Sequence, residues 1–359
     1  MTSTFKLMSV VGARPQFVKA AVLSAAIQEH RPDIREVLVH TGQHYDDRMS
    51  EIFFRELGIE APAHNLGVGG GSHGRATGQM LEGLERVMQR EGPDGVLVYG
   101  DTNSTIAAAL AAVKLHIPVA HVEAGLRSFN RTMPEEINRV VTDHISELLF
   151  APTQTAESNL FAEGIERKKV HVVGDVMYDA AIYFAKRSAR PSWFSDLGFD
   201  VGRYVLCTIH RAENTDSLHR LEAILRGLAL SGSKVILPMH PRTAARIAAA
   251  QLEIPANVTI VEPVGYLEMC WLEANSTLIA TDSGGVQKEA YFHKKFCVTL
   301  REETEWVELV DSGCNVLAGA DSLAIANAIS SPLTCDFSRE FYGRGSSARA
   351  IAEKLWAHA

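Results

Sequence analysis

Three acidic side chains in the first half of the chain stand where they could do acid–base chemistry. Asp101 follows the apolar run Gly95–Tyr99, and Glu123 follows the run Pro118–Val122. Glu135 lies in the first turn of a predicted helix. Carboxylates that share a pocket shift one another's pKa values and can take or return protons. These carboxylates are therefore candidates for acid–base chemistry in one cleft.

Each of these residues also has a purely structural interpretation. Aspartate often caps a helix, so Asp101 could cap the helix that follows it. Glu123 could pair with Arg127, four residues further on. Glu135 and its neighbour Glu136 fit the acidic first turn that stabilises many helices. What favours a shared chemical role is that carboxylates at successive junctions of one predicted sheet can converge on one cleft.

The second half carries a stretch typical of phosphate binding, T-D-S-G-G-V-Q-K-E, in which an apolar strand ends at two glycines and a helix begins. The backbone amides at Gly284 and Gly285 and the Ser283 hydroxyl could hold a diphosphate. Glu289 lies about one helical turn beyond the glycines, within reach of a ribose diol. An ordinary tight turn is the alternative. His210, at the end of a predicted strand in T-I-H-R, is predicted either to serve the site or to be structural.

Two cations stand near another strand-to-helix junction, in G-A-R-P-Q-F-V-K. Pro15 suits the first position of a helix, and Arg14 before it is biased away from helical angles. An anion is favoured at a helix N-terminus, so Arg14 and Lys19 are candidate substrate contacts. The alternative is a turn with two solvated cations. The dinucleotide motif G-x-G-x-x-G is absent here.

Apolar runs alternate with helical patterns along almost the whole chain, which predicts parallel sheets covered by helices. The predicted strands are Lys6–Val11, Glu36–His40, Gly95–Tyr99, Pro118–Val122, Leu148–Ala151, Val170–Val173, Tyr204–His210, Lys234–Leu237, Val258–Val261, Thr277–Thr281 and Phe296–Thr299. The predicted helices are Gln16–Gln28, Met49–Leu57, Arg75–Gln89, Ser104–Leu115, Glu135–Ile145, Leu218–Leu228, Thr243–Ala250, Tyr266–Glu273, Val286–Phe292 and Ser346–Ala359.

The pattern restarts near residues 174–192, which predicts two Rossmann-like α/β domains, 1–173 and 174–339. The final helix, about 340–359, is expected to pack back on the first domain. Ligands of open parallel sheets bind beyond the carboxyl ends of the strands. We therefore expect the site in a cleft between the two domains, with His210 facing the carboxylates.

Length and composition fit this interpretation. The 359 residues correspond to roughly two domains. The net charge of −8 disfavours general nucleic-acid binding. Five cysteines without a C-x-x-C pair predict neither disulfides nor a zinc site, and a reducing compartment. The N-terminal segment is predicted to be a strand, not a signal peptide, and no apolar run is long enough for a membrane span. We expect a cytoplasmic protein with no metal, cofactor or membrane partner.

Taken together, the motifs resemble the bacterial non-hydrolysing UDP-N-acetylglucosamine 2-epimerase family. The matching stretches, in family order, are G-A-R-P-Q-F-V-K, V-Y-G-D-T-N-S-T, H-V-E-A-G-L-R, P-E-E-I-N-R, T-I-H-R and D-S-G-G-V-Q-K-E-A. The resemblance covers essentially the whole chain. It implies a glycosyltransferase-B-like fold, a UDP-sugar substrate, no cofactor and a homodimer.

The resemblance also implies roles for individual residues. Asp101, Glu123 and Glu135 would be the catalytic carboxylates, and His210 would lie beside the diphosphate. The residues implied to bind substrate are Arg14, Lys19, Val264, Met269, Ser283, Gly284, Gly285 and Glu289. Among these, Glu289 would bind the ribose, while Val264 and Met269 would frame the uracil.

Within the family, the chain is most similar to a subgroup that epimerises UDP-2,3-diacetamido-2,3-dideoxy-glucuronate. The likeness lies in T-G-Q-H-Y-D-D-R-M-S-E-I-F-F, A-G-L-R-S-F-N-R-T-M-P-E-E and T-E-W-V-E. Simpler members have T-E-R-P-E in the last segment, so Trp306 replaces an arginine, and H-R-R-E where this chain has Ala212. A carboxylate at C6 of the sugar would want a cation, and Arg131 is a candidate.

Four alternatives stay open on the sequence. The nearest is UDP-N-acetylglucosamine 2-epimerase, followed by a hydrolysing 2-epimerase that releases free sugar. A glycosyltransferase of the same fold would need an acceptor, and the three carboxylates speak against it. A non-catalytic regulator that binds nucleotide sugars would leave those carboxylates without a role.

Overall fold

A computed structural model describes residues 4–43, 56–331 and 335–356 of the chain. The predicted helix Met49–Leu57 and the segment T-G-Q-H-Y-D-D-R-M-S-E-I-F-F lie mostly outside these ranges. The chain divides into two compact units. Unit 1 comprises residues 1–180 and 341–359, and unit 2 comprises residues 181–340.

Unit 1 is built on one parallel sheet of seven strands in the order β3-β2-β1-β4-β5-β6-β7. Its strands are β1 (Phe5–Val11), β2 (Ile34–His40), β3 (His64–Asn65), β4 (Gly95–Tyr99), β5 (Val119–Val122), β6 (Leu148–Ala151) and β7 (Val170–Val172). Its helices are α1 (Arg14–His30), α2 (His73–Glu91), α3 (Asn103–Lys114), α4 (Pro134–Ile145), α5 (Gln154–Ala162), α6 (Val176–Ala185, shared with unit 2) and, near the chain end, Ser347–Lys354. Residues 167–169 form a short 3₁₀ turn.

Unit 2 is built on a parallel sheet of six strands in the order β10-β9-β8-β11-β12-β13. Its strands are β8 (Val205–Thr208), β9 (Val235–Pro238), β10 (Val258–Val261), β11 (Leu278–Thr281), β12 (Phe296–Thr299) and β13 (Asn315–Leu317). Its helices are α7 (Ala212–Thr215), α8 (Leu218–Leu230), α9 (Pro241–Ala250), α10 (Tyr266–Ala274), α11 (Gly284–Phe292), α12 (Val307–Asp311) and α13 (Ser322–Ser330). The helix Ser347–Lys354, which belongs to unit 1, is named α14. Residues 192–197 form a second 3₁₀ turn.

The central strands are buried on both faces, which explains their continuous apolar runs. The four apolar side chains of β4, from Val96 to Tyr99, have an exposed fraction of 0 %. In unit 2, alternate residues of β8 pack on opposite faces. Val205 and Cys207 belong to one apolar cluster and Leu206 to another. Helices cover both faces of each sheet, so the connecting loops lie at the ends of the strands.

The C-terminal helix α14 packs on unit 1 beside α1. Arg31 Nη1 donates to the carbonyl oxygen of Leu355 at 2.9 Å, and the rings of Phe5 and Trp356 stack with centroids 5.9 Å apart. Asp179 accepts hydrogen bonds from the amides of Ser347 and Ala348, which open this helix.

A disulfide joins Cys314 and Cys335, so the prediction of no disulfide is wrong. The two cysteines are 21 residues apart in the chain, but the fold brings their Cα atoms to 4.8 Å. Sequence spacing carries no information about such a non-local approach. The other three cysteines, Cys207, Cys270 and Cys297, are free and buried.

Candidate active site

The carboxyl ends of β4 and β5 place Asp101 and Glu123 at the same edge of the first sheet. The two strands are hydrogen-bonded neighbours, with Tyr99 paired to Val122. The Glu123 carboxylate lies next to Gly100, where an added Cβ would be 3.2 Å from Glu123 Oε2. The structure therefore places these two predicted catalytic residues on adjacent turns, after neighbouring strands.

Glu123 is held in an uncommon backbone conformation by its surroundings. Its φ of 69° is in the left-handed region that L side chains rarely adopt. Lys19 Nζ and Glu123 Oε2 form an ion pair in which both side chains are only 9 % exposed. Backbone strain at a non-glycine residue is typical of functional sites. Lys19, which is predicted as a substrate contact, pairs with the Glu123 carboxylate.

The predicted alternative for Glu123, a pair with Arg127, is wrong. Arg127 lies 2.7 Å from Asp143 and 2.7 Å from Glu163, and its side chain is 1 % exposed. Asp143 also contacts His121 Nδ1 at 2.7 Å and accepts from the amide of Gly125 at 3.1 Å. Burial opposes ionisation of Asp143, but His121 and Arg127 outweigh burial and lower its pKa. This buried network, which the sequence motifs did not reveal, fixes the turn that carries Glu123.

Asp101 does not cap the helix that follows it, so this structural interpretation is also wrong. The cap of α3 is Thr102, whose Oγ1 accepts from the amide of Thr105 at 3.3 Å. The Asp101 carboxylate pairs with Arg139, on α4. Asn138 Nδ2 also donates to the Asp101 carbonyl oxygen at 2.9 Å.

Glu135 and Glu136 have opposite environments although they are neighbours. Helix α4 begins at Pro134, whose fixed φ suits a first helical turn. Glu135 is exposed, while Glu136 is 1 % exposed and contacts Arg139 at 3.1 Å. The helix that presents Glu135 is thus bound to Asp101 through Arg139. Asp101, Glu123 and the helix that bears Glu135 therefore lie at one edge of the sheet in unit 1.

Arg14 is exposed at the start of α1. The helix begins at Arg14 itself, so Pro15 occupies the second helical position and not the first, and the expected non-helical angles at Arg14 are wrong. The junction depends on a residue that sequence reasoning missed, Gln16. Its Oε1 accepts from the amides of Gly12 and Ala13 at 2.7 Å and 3.0 Å. Its Nε2 donates to the carbonyl oxygen of Tyr99 at 2.7 Å, which ties this turn to β4.

In unit 2, His210 lies beside a buried aspartate. Strand β8 ends at Thr208, so His210 follows the strand by two residues and does not close it. His210 Nδ1 is 3.1 Å from Asp282 Oδ1, and the His210 side chain is 42 % exposed. Asp282 itself is fully buried and accepts from the amides of His210 and Arg211 at 3.0 Å. The structure therefore orients the His210 imidazole through Asp282, a residue that the sequence reasoning passed over.

Burial opposes ionisation of Asp282, but its hydrogen bonds outweigh burial and lower its pKa. His210, Arg211 and Asn214 supply these bonds. An ionised Asp282 accepts the imidazole N–H at Nδ1, which leaves Nε2 outside this contact.

The turn Ser283–Gly285 opens helix α11 at Gly284. Ser283 Oγ accepts from the amide of Val286 at 3.4 Å and so caps the helix. Trp306 Nε1 donates to the carbonyl oxygen of Gly284 at 2.8 Å. Lys288 Nζ lies 4.3 Å from the centroid of the Trp306 ring. Trp306, in the position where simpler family members have arginine, thus supports the predicted phosphate-binding turn.

The remaining predicted residues of unit 2 lie on or next to helices α10 and α11. Glu289 is half-buried on α11, near the fully buried Glu273 on α10. Burial and the Glu289 carboxylate raise the pKa of Glu273. Val264 and Met269 are half-buried and pack against the apolar cluster around Phe194.

Within residues 4–43, 56–331 and 335–356, no group of three or more His, Cys, Asp or Glu side chains is placed to hold a metal ion. In the same part of the chain, none of the helices has the length and apolarity needed to cross a bilayer.

Comparison with known proteins extends these observations over the whole chain. The family model for UDP-N-acetylglucosamine 2-epimerase matches residues 25–356. The UDP-2,3-diacetamido-2,3-dideoxy-D-glucuronate 2-epimerase of Pseudomonas aeruginosa is 51 % identical, over 98 % of this chain and 99 % of that protein.

Two solved structures resemble the fold closely. The UDP-GlcNAc 2-epimerase of Methanocaldococcus jannaschii, in complex with UDP-GlcNAc and UDP, has a TM-score of 0.84 and 43 % identity, with 98 % and 99 % of the two chains covered. The enzyme from Neisseria meningitidis, bound to UDP-GlcNAc, has a TM-score of 0.79 and 28 % identity, with 98 % and 99 % covered.

Two parallel-sheet α/β units with this likeness define a glycosyltransferase-B-like fold, and the relatives are isomerases that act on nucleotide sugars. The chain belongs to the UDP-N-acetylglucosamine 2-epimerase family. The resemblance that the sequence motifs indicated is confirmed.

Proposed function

We propose that the protein is a UDP-2,3-diacetamido-2,3-dideoxy-D-glucuronate 2-epimerase. The identity of 51 % to the Pseudomonas aeruginosa enzyme of that name supports this substrate. The observation that carries the catalytic part of the proposal is the gathering of Asp101, Glu123 and the helix bearing Glu135 at one edge of the first sheet. A binding protein would not need this arrangement.

The reaction must overcome the low acidity of the proton at C2. We propose elimination followed by addition. A carboxylate removes the C2 proton while the bond from C1 to the UDP oxygen breaks, which gives UDP and a glycal. UDP then adds back at C1 while a second acid returns a proton to C2 from the opposite face. Two acid–base groups are therefore required, and the site offers three carboxylates.

The proposed roles divide by residue type. Asp101, Glu123 and Glu135 carry protons, and Lys19 fixes the Glu123 carboxylate. The leaving diphosphate needs positive groups and N–H donors. We assign these to His210, Arg14 and the turn of Ser283, Gly284 and Gly285. We further propose that Glu289 binds the ribose and that Val264 and Met269 frame the uracil.

Trp306 supports a substrate other than UDP-N-acetylglucosamine. An arginine in this place offers a charged contact, whereas the Trp306 indole N–H is already donated to Gly284. The cation for a C6 carboxylate would then come from elsewhere, and we propose Arg131, which is exposed in the loop before Glu135. Ala212 stands where simpler members have a second arginine. We further propose a cytoplasmic homodimer that supplies precursors for surface polysaccharide such as O-antigen.

The proposal is tested by incubating the protein in heavy water with UDP-2,3-diacetamido-2,3-dideoxy-glucuronate and, in parallel, with UDP-N-acetylglucosamine. We expect deuterium at C2 of recovered substrate and product with the first sugar, and much slower exchange with the second. Faster exchange with UDP-N-acetylglucosamine would reassign the substrate. No exchange with either would refute epimerisation, and release of free sugar would indicate the hydrolysing reaction.

Variants then separate chemistry from binding. Glu135→Gln should lower kcat by about 10²- to 10⁴-fold, because it removes an acid–base group, while UDP affinity changes little. Ser283→Ala should weaken UDP binding more than it lowers kcat, because Ser283 caps the turn assigned to the diphosphate. The opposite pattern, measured by UDP titration and steady-state kinetics, would contradict both assignments.

A further inference from the structure

Glu136 is a buried carboxylate beside the predicted catalytic residue Glu135, and the roles above make no use of it. Its exposed fraction is 1 %. A carboxylate so deeply buried is costly unless its oxygens accept several hydrogen bonds or pair with a cation. The contacts of Glu136 therefore indicate what it does.

Four donors surround the Glu136 carboxylate. Oε1 accepts from the amide of Phe129 at 2.9 Å. Oε2 accepts from the amide and hydroxyl of Ser128 at 2.9 Å and 3.1 Å, and from Arg139 Nη1 at 3.1 Å. Burial opposes ionisation, but these donors outweigh burial and lower the pKa of Glu136. The side chain is thus an anion that ties the loop at Ser128–Phe129 to Arg139.

The loop needs this restraint. Phe129 has a φ of 57°, in the left-handed region, and its side chain is 75 % exposed. Such a conformation at a non-glycine residue is strained and persists where the surroundings impose it. The two amide donations to Glu136 impose it here, and they set the path of the chain toward Arg131 and Glu135.

The other partner of Glu136, Arg139, connects it to the predicted catalytic residue Asp101. Arg139 contacts both Glu136 and Asp101. Burial disfavours the charged guanidinium, but Asp101 and Glu136 outweigh burial and raise the pKa of Arg139. Because one guanidinium is shared by two carboxylates, its position, and hence the orientation of Asp101, depends on Glu136.

We propose that Glu136 is a positioning residue of the epimerase, which holds the Ser128–Phe129 loop and, through Arg139, orients the Asp101 carboxylate for proton transfer. The inference rests on the proposed function, because it takes Asp101 as an acid–base group. If Glu136 served folding alone, its loss would not affect the orientation of Asp101 more than it affects the rest of unit 1.

A double-mutant cycle distinguishes these roles. Glu136→Gln keeps the size of the side chain and removes its charge, and we expect it to lower kcat at least about tenfold, with UDP affinity unchanged within about twofold. If Glu136 acts through Arg139, the double variant Glu136→Gln/Arg139→Gln should be no slower than Arg139→Gln alone. The proposal would be overturned if the fold-losses of kcat in the two single variants multiply in the double variant. A kcat of Glu136→Gln within about twofold of wild type would also overturn it.

The matched control is Glu82→Gln, which makes the same chemical change in an exposed glutamate–arginine pair on α2. Glu82 contacts Arg86 at 2.6 Å, and its side chain is 69 % exposed. This variant should keep wild-type kcat and UDP affinity, because surface pairs contribute little. A fall in its kcat equal to that of Glu136→Gln would show that the effect is not specific, and would also overturn the proposal.

A second measurement does not depend on turnover. Hydrogen exchange at the Ser128 and Phe129 amides should be at least about tenfold faster in Glu136→Gln than in wild type, because their acceptor loses its charge. Unchanged exchange would overturn the proposal even if the enzyme is active. Absence of C2 exchange in the wild-type protein would instead refute the proposed function, while the amide measurement would still decide whether Glu136 holds the loop.

Discussion

At the scale of single residues, the candidate site is a set of charged groups whose positions depend on other charged groups. Glu123 depends on Lys19, Asp101 on Arg139, and the His210 imidazole on Asp282. Motifs in the sequence predicted Asp101, Glu123 and His210, because each follows a strand. Their partners could not be assigned in the same way, since each partner comes from a distant part of the chain. The Arg127 alternative failed for this reason, as Asp143 and Glu163 already occupy it.

A buried histidine outside the site gives a prediction about pH. His293 is 7 % exposed, and burial, with a smaller effect of Lys295, lowers its pKa to about 4. The folded protein therefore binds this proton less readily than the unfolded chain, whose histidine pKa is about 6.5. The free energy of unfolding should fall between pH 6.5 and 4, by about 3 kcal/mol in total from this group. Above pH 6.5, His293 makes no contribution to the pH dependence of the free energy of unfolding.

Urea unfolding at a series of pH values measures this dependence. His293→Gln should lack this part of the pH dependence, because glutamine does not titrate. His219→Gln is the matched control, because His219 is exposed on α8, and it should keep the wild-type pH dependence. If His293→Gln and wild type lose stability in parallel as the pH falls, the burial argument is wrong.

At the scale of elements, periodicity was a good guide where a helix or strand is buried against the sheet. Every predicted strand is confirmed, with ends within two residues, and so are the predicted helices from Arg75–Gln89 to Val286–Phe292. The final helix ends at Lys354, before the predicted end. The sequence reasoning missed short or less regular elements, among them β13 and the helices Gln154–Ala162 and Ser322–Ser330. A run of three residues such as β13 carries too little pattern to be recognised.

The turn after β5 yields a prediction about Gly125. Its φ is 80°, and an added Cβ would clash with the carbonyl oxygen of Ala156, a backbone atom that has little freedom to move. Gly125→Ala should lower the free energy of unfolding by about 2–4 kcal/mol, because strain and overlap add. It should also reduce turnover, since Glu123 lies two residues earlier in the same turn.

Gly78→Ala is the matched control for this substitution. Gly78 is exposed within α2, and an added Cβ there meets nothing within 4 Å. Alanine favours helix over glycine, so this variant should be more stable by about 0.5–1 kcal/mol and fully active. Urea unfolding of both variants decides the matter, and equal stability of Gly125→Ala and wild type would contradict the role of the turn.

At the scale of the whole molecule, the order of the motifs predicted the family, and the family match spans both units. The motifs identified the family because each one is local in sequence and lies at a strand-to-helix junction that the fold requires. Contacts between distant segments were not predictable in the same way. Gln16, Asp143 and Asp282 connect elements that are far apart in the chain, and so does the disulfide between Cys314 and Cys335.

The disulfide fixes the last segment of unit 2 before the chain enters residues 341–356 of unit 1. Cys335 begins a described segment that crosses α11, where Tyr291 Oη donates to the carbonyl oxygen of Arg339 at 2.5 Å and the ring of Phe337 lies 5.7 Å from that of Tyr291. Helix α11 carries the turn assigned to the diphosphate. The crosslink should therefore stabilise unit 2 and keep this segment on α11.

Removing the crosslink gives the corresponding prediction. A loop closed over 21 residues stabilises a protein by about 3 kcal/mol, chiefly by restricting the unfolded chain. Dithiothreitol should therefore lower the unfolding midpoint of the wild-type protein, whereas Cys335→Ser should unfold at the lower midpoint with or without the reductant. Titration of thiols in the unfolded, unreduced protein checks the premise directly. Since Cys207, Cys270 and Cys297 are free, three thiols should react, and reaction of all five cysteines would show that the crosslink does not form under those conditions.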